Sequence, residues 1–398
     1  MIKQKIVTSL VVTLLIGSFS QLTMAKCAQP IEATQAELEG GYRDVTELKS
    51  AFIDTAPKRK NDGLTVGAAG IDGGNRALLI KLAKEIENNM HGQFDSLLIA
   101  HKGKLVFESY YSRGRINLPH YQASATKVYT SMALGRAIQL GYLSMADLDK
   151  PLVSFLKGLD SSKLTTGSDK ITLNLALTMR SGIRLSDEQK KGLEQISEQL
   201  KGQQHAQALL ERSAPISAQT QTFKYQDDPM LIMHVIDAVV PGSAEAFIKQ
   251  ELLDKLGIEQ YRWQTADNGL PEAGWRVNMT SRDMLKWGTL ASNKGMWQGE
   301  RLIPQDYITK AISPQLYTGD EDMFGGGKDV SKQGYGYYWW NAELQSGEKR
   351  FYSVSAQGGG GQYIILVEEL GLVVVVTANR RENSTLQLMA ERVLPAFM

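Results

Sequence analysis

The stretch QYIILVEELGLVVVVTAN, residues 362–379, holds two apolar runs rich in β-branched residues, separated by Glu369-Leu370-Gly371. Runs of this length and type favour strands, and a glycine between them marks the turn, so a hairpin is predicted. A hairpin at the end of a chain needs partners. FDSLLIAHKGKLVFESYY, residues 94–111, offers them: it reads as two strands joined at HKGK. GYGYYWW, residues 334–340, is a further aromatic, β-prone segment. Between these ends, from about residue 145 to about 310, the pattern is mainly helical. TLNLALTMRSG starts at Thr172 and stops at Gly182. TSRDMLKWGTLASNKG opens with Thr280 and carries Asp283 three residues on, a capping-box arrangement with Asp in place of Glu or Gln. Early and late strands flanking a helical middle imply an α/β (α+β) architecture. One antiparallel sheet is built from both chain ends and flanked by helices, and a mainly helical region is inserted between its halves.

The N-terminus reads as a processing signal. Lys3 and Lys5 precede an uncharged, mostly apolar run from Ile6 to Phe19, and Thr23-Met24-Ala25 supplies small residues for cleavage after Ala25. Polar residues from Ser18 onward interrupt the run too early for a good membrane span. Residues 1–25 are therefore expected to be a signal peptide, 26–75 a lead-in segment, and 76–398 the main domain. The expected destination is across the inner membrane, in the periplasm. Loss of residues 1–25 removes Lys3 and Lys5 and no acid, which takes the formal charge from +1 to −1. Such a near-neutral chain gives no electrostatic case for nucleic acid or anionic lipid as a partner. Cys27 is the only cysteine, so an internal disulfide is excluded. The five histidines show no HxH or HExxH spacing, so no zinc site and no other cofactor is expected.

The chemistry-bearing candidate is YQASATKVYTS, residues 121–131. Ser124 stands three residues before Lys127 in a predicted helix, so both side chains share a face. A serine hydroxyl needs a base to become a nucleophile, and a lysine serves only when its pKa is brought down from about 10.4. The spacing recurs at Ser154/Lys157 and Ser346/Lys349, read as a helix-face serine and an exposed turn. Downstream, TFKYQDDPMLIMHVI places Tyr225 two residues before Asp227. Asp228 fits the N-cap and Pro229 the first helical position of the next helix. A tyrosine at this corner can pass a proton to a leaving group if Lys127 lowers its pKa; otherwise it is an aromatic plug. SAQGGGGQYI then sets Gly358–Gly361 before a strand, where glycines allow close approach of a substrate to the backbone. Trp339 and Trp340 read as one buried and one exposed ring on a strand.

SATK, then YQD about a hundred residues later, then GGGGQ before a strand, together resemble the β-lactamase-related serine hydrolases. That group includes class C β-lactamases, DD-peptidases, family VIII carboxylesterases and 6-aminohexanoate-dimer hydrolase. GID at Gly70–Asp72, ITLNLALTMRSGI at Ile171–Ile183 and NGLPEAGWRVNMTSRDMLKWG at Asn268–Gly288 add to the likeness. The resemblance implies Ser124 as the acylated nucleophile, Lys127 as its base and Tyr225 as the second proton-transfer residue. Gly359-Gly360-Gly361 matches the third motif, and the backbone N–H of Gln362 is the implied second oxyanion donor. It further implies a small-molecule ester or amide as substrate, with β-lactam or D-Ala-D-Ala cleavage, or a catalytically silent binding role, as alternatives. Two positions depart from the family pattern. Asp227 stands where Asn is usual, and Gly359 stands where Lys, His or Trp is usual.

Overall fold

In chain order the strands are β1 (Phe52–Asp54), β2 (Thr65–Val66), β3 (Ser96–His101), β4 (Lys104–Tyr110), β5 (His120–Tyr121), β6 (Tyr261–Trp263), β7 (Val277–Met279) and β8 (Met296–Trp297). They continue with β9 (Glu300–Arg301), β10 (Leu316–Gly319), β11 (Val330–Tyr335), β12 (Trp340–Ser346), β13 (Lys349–Gly358), β14 (Gln362–Val367) and β15 (Leu372–Thr377). This is a computed structural model. It describes residues 31–319, 326–379 and 384–398. The predicted signal segment, Cys27, Arg380 and Arg381 lie outside the described residues.

The main sheet runs β1-β4-β3-β15-β14-β13-β12-β11-β10, with β2 added parallel to β4 and every other pairing antiparallel. The join between the chain ends is β15 against β3, with Val376 opposite Leu97 and Val373 opposite Ala100. Alternation explains why these strands are apolar throughout. Leu98, Ile364, Leu366, Val373 and Val375 face one core, while Leu97, Ile99, Ile365, Val374 and Val376 face a second. The first face carries the Ser281–Ser292 helix, which presses in at Gly288. A Cβ there would stand 2.6 Å from Val373 and 2.7 Å from Ile364. Helix Arg76–Glu87 and the C-terminal segment from Leu386 to Ala396 cover the other face.

The expected architecture is present, with informative differences. The segment read as a lead-in supplies β1 and β2 to the sheet. The helical region also contains β6 and β7, which join β5 in a small sheet, and the β8-β9 pair. On helix Arg76–Glu87, Leu79, Leu82, Ala83 and Ile86 are buried while Leu78 is exposed. Trp339 and Trp340 are both buried, because residues 336–339 leave the strand and turn both rings inward. Ser346 is not in an exposed turn; it is buried at the end of β12, opposite Lys349. Thr280 caps its helix by accepting from the Asp283 N–H at 3.1 Å, but Asp283 returns to the Thr280 hydroxyl rather than the backbone, so the box is half made.

Two ion pairs fasten the Ser281–Ser292 helix under the sheet. Arg282 meets Glu108 of β4 through two bonds of 2.7 and 2.8 Å, with both groups buried, and reaches Asp62 at 2.7 Å. Glu108→Ala would leave a buried guanidinium with half its partners. It is expected to cost about 3–5 kcal/mol, measured as a shift of the urea midpoint at unchanged m-value.

Candidate active site

The nucleophile candidate sits where a strand stops against the central helix. His120 and Tyr121 pair with Met279 and Asn278, and the Gln122 N–H closes the register on Val277 O at 2.8 Å. The chain then turns through Ala123, at φ +45°, into a 3-10 turn Ala123–Ala125 and the helix Thr126–Gln139. Every residue of that helix up to Ile138 is buried, so its position is fixed on all sides. Gln122 locks the turn from within. Its side chain donates to His120 O at 2.7 Å and accepts from the Tyr129 hydroxyl at 3.0 Å. Ser124 is half-buried at the helix N-terminus, where the backbone dipole favours developing negative charge.

Lys127 Nζ lies 3.0 Å from Ser124 Oγ and donates to Gly274 O at 3.1 Å. The Ala273–Gly274 backbone is itself held to the helix by Thr130, which donates to Ala273 O at 2.7 Å. Burial brings the Lys127 ammonium down from 10.5 to about 8, against the opposing pull of Asp227. Tyr225 completes the group. Its hydroxyl is hydrogen-bonded to Ser124, and its ring lies 4.8 Å from Lys127 Nζ. Tyr335 and Trp340 wall that ring at 6.2 and 5.6 Å between centroids. The expectation that Lys127 lowers the Tyr225 pKa is not met. Burial pushes the phenol up to about 12, Asp227 adds to the rise, and only the Ser124 hydrogen bond opposes it. Tyr225 is therefore a protonated phenol at neutral pH, able to donate.

The helix that follows begins at Asp228 with Asp227 at its N-cap position, one residue earlier than expected, and the Asp227 side chain caps nothing. Asp227 is exposed and lines a cavity of about 320 Å³ that opens beside Lys127. Met230, Glu272, Gly274 and Trp275 share its wall. Glu272 is 4 % exposed, and burial raises its pKa despite Arg276 at 3.3 Å.

On the other side of Ser124 lies the free end of β13. Strand β12 stops at Trp340, opposite Ser355, so among the described residues Ala356, Gln357 and Gly358 have no strand partner on that edge. The glycine that meets the nucleophile turn is Gly358, where a Cβ would stand 2.2 Å from Gln122 O. Gly359 faces open space, and Gly360 and Gly361 turn the chain at φ +99° and +98°. Gln362 lies one strand further in. It is buried in β14, and its side chain bonds Ala378 O at 2.5 Å. Gly358→Ala should force β13 off the Ser124 turn and lower kcat about 100-fold while the protein stays folded, a combination read from ester turnover beside far-UV circular dichroism.

Ser124, Lys127, Tyr225 and Asp227 thus converge, with the Gly358–Gly359 end of β13 opposite. Sequence reasoning missed Gln122 and Gly274. Gly274 falls in the quoted Asn268–Gly288 segment, but a backbone carbonyl leaves no mark in a sequence. Gly358 was read as part of the glycine run, but the third motif was placed one residue later, at Gly359–Gly361. Among the described residues, no group of three or more His, Cys, Asp or Glu is placed to hold a metal ion.

A serine, a lysine and a tyrosine meet at the end of an antiparallel sheet flanked by helices, which is a β-lactamase-like serine hydrolase fold. The model of the Beta-lactamase family matches residues 82–396, and the chain belongs to that family. Solved structures agree in fold. A protein described as a 6-aminohexanoate-dimer hydrolase of Bacillus anthracis is 19 % identical, with 83 % of this chain and 81 % of that one covered, at TM-score 0.57. A D-stereospecific amidohydrolase from a Streptomyces species is 16 % identical over 78 % of this chain and 98 % of that one, at TM-score 0.56. A class C β-lactamase is 15 % identical over 81 % and 96 %, at TM-score 0.55. A comparison with curated proteins finds no match.

Proposed function

We propose that this serine hydrolase cleaves an ester or amide through an acyl-enzyme on Ser124. The reading is carried by the 3.0 Å contact between Ser124 Oγ and a Lys127 amine whose pKa burial has brought to about 8. Neutral Lys127 takes the Ser124 proton as Oγ bonds to the substrate carbonyl carbon. The oxyanion that forms is held by the Ser124 N–H and by the free edge of β13 near Gly358 and Gly359. Gln362 is the poorer second donor, since β13 stands between its strand and the site. When the carbonyl re-forms, the bond to the leaving group breaks. Tyr225 gives that group a proton and recovers one from the Lys127 ammonium, which holds the proton taken from Ser124. Water then attacks the acyl carbon by the reverse proton path, which releases the acid and restores Ser124.

The cavity beside Lys127 receives one arm of the substrate. Residues 355–362 contain no lysine, arginine or histidine. A substrate carboxylate therefore finds no cation at this end of the strand, which favours esters and uncharged amides over β-lactams and D-Ala-D-Ala peptides. Residues 1–25 are proposed to export the chain to the periplasm. A small fluorophosphonate tests the core of this reading. Intact mass should show one adduct, and fragmentation should place it on the peptide holding Ser124. Absence of any adduct would favour the non-catalytic binding role instead.

Asp227 fits the same scheme as a brake on the base. It raises the Lys127 pKa, and Asp227→Asn removes that pull. The rising limb of the kcat/KM profile should therefore move to lower pH in the variant, with higher turnover at pH 6–7. An unmoved limb would detach Asp227 from Lys127.

A further inference from the structure

Behind Tyr225 lies a buried carboxylate that the reaction itself does not use. Asp228 is 2 % exposed and Ser181 is fully buried. Asp228 Oδ2 accepts from the Ser181 N–H at 3.0 Å, while Oδ1 accepts from the Ser181 hydroxyl at 2.8 Å and from Gln226 Nε2 at 2.8 Å. Gln226 Nε2 also reaches Ser181 Oγ at 3.2 Å. Three donors from two segments thus close on one carboxylate. The same segments are tied again where the Lys224 N–H donates to Met179 O at 2.9 Å. Tyr225 is the residue between these two ties. The aromatic wall of Tyr335 and Trp340 is a further restraint, which fixes the tilt of the ring but does not bond the backbone.

We infer that Asp228 is a positioning residue, a carboxylate clamp that ties the Tyr225 corner to the Ser181 loop and so holds the Tyr225 hydroxyl on Ser124. The inference rests on the proposed role of Tyr225. A carboxylate can accept from all three donors at once, whereas a carboxylic acid must either oppose an N–H donor or reverse the Ser181 hydroxyl bond. The clamp is therefore a property of the ionised form. Burial raises the Asp228 pKa to about 6 despite these bonds, with Asp227 adding to the rise. Among the described residues, the other ionisable groups that face it are the phenols of Tyr335 and Tyr338. Arg180 and Arg184 flank Ser181 but spend their guanidinium groups elsewhere, on Thr178 and on the Ile183 and Thr220 carbonyls.

Asp228→Asn puts a donor where Ser181 N–H or Gln226 needs an acceptor. In that variant kcat for an ester should fall about 10- to 100-fold with KM within about twofold, the mark of a lost proton transfer. The fluorophosphonate adduct should still form, because fluoride leaves without a proton. Tyr225→Phe should show the same split, and the double variant should be no worse than Tyr225→Phe alone. A kcat within about twofold of the wild type, or losses that multiply in the double variant, would overturn the clamp. A second readout needs neither turnover nor the variant. In protein carrying 13C-labelled tyrosine, the Tyr225 resonance, assigned by its loss in Tyr225→Phe, should shift with a midpoint near pH 6. A resonance that stays fixed from pH 5 to pH 7 rejects the inference even if Asp228→Asn does not fold. Failure of the wild type to take any adduct would instead count against the hydrolase reading, leaving the resonance to decide the clamp.

Discussion

Ser124→Ala is expected to lower kcat by about 10⁴-fold or more and to abolish the covalent adduct. The expectation follows from what the hydroxyl touches. Lys127 and Tyr225 both hydrogen-bond it, so it is the point through which protons enter and leave the scheme. Alanine keeps the helix start, the Gln122 lock and the close approach of Gly358, none of which uses Oγ. The melting temperature should therefore stay within a few degrees of the wild type. An ester hydrolysed by the wild type and still cleaved at a tenth of that rate by the variant would show that another residue does the chemistry.

Lys127→Met separates function from stability in opposite directions. Removal of the base should cost about 10²- to 10⁴-fold in kcat/KM at pH 8. In the wild type, kcat/KM should rise with pH through about 8 as the amine loses its proton, and this limb should vanish in the variant. For stability the sign is reversed. The folded pKa lies below the unfolded one, so the fold carries a penalty that is complete below about 8 and disappears as pH rises toward 10.5. At neutral pH that penalty is of the order of 3 kcal/mol. Methionine avoids it but gives up the bonds to Ser124 and Gly274, so a net gain of about 1–2 kcal/mol is expected. Denaturation at pH 7 and again near pH 10 checks this, because the advantage of the variant should shrink at the higher pH.

Much of this was legible in the chain because strong local patterns and the global fold agree. The run Leu372–Thr377 is apolar at every position but the last, since both faces of β15 are covered, and its hairpin with β14 turns where Gly371 allows. Ser124 and Lys127 were readable because helical spacing guarantees that they meet. The parts that escaped depend on contacts between distant segments. Whether Trp339 faces in or out is decided by the kink at residues 336–339, and whether Gly358 or Gly359 is the tight one is decided by where Gln122 falls. The Tyr225 pKa depended on burial by Tyr335 and Trp340, more than a hundred residues away in sequence, and burial outweighed the neighbour that sequence reasoning could see.

The place of β15 in the sheet has a consequence for synthesis. Strand β3 is made early, and its partner β15 is among the last segments to be made. Until then β3 and β4 present an open apolar edge, and the helix at Gly288 has no Val373 or Ile364 to press against. Closure of the sheet must therefore follow chain completion, and its long-range pairing makes it slow. A chain stopped before Leu372 would retain Ser124, Lys127 and Tyr225 in its sequence and still lack the floor on which they are assembled. Nascent chains of this protein should remain protease-sensitive until β15 has been made, and become resistant in a single late step.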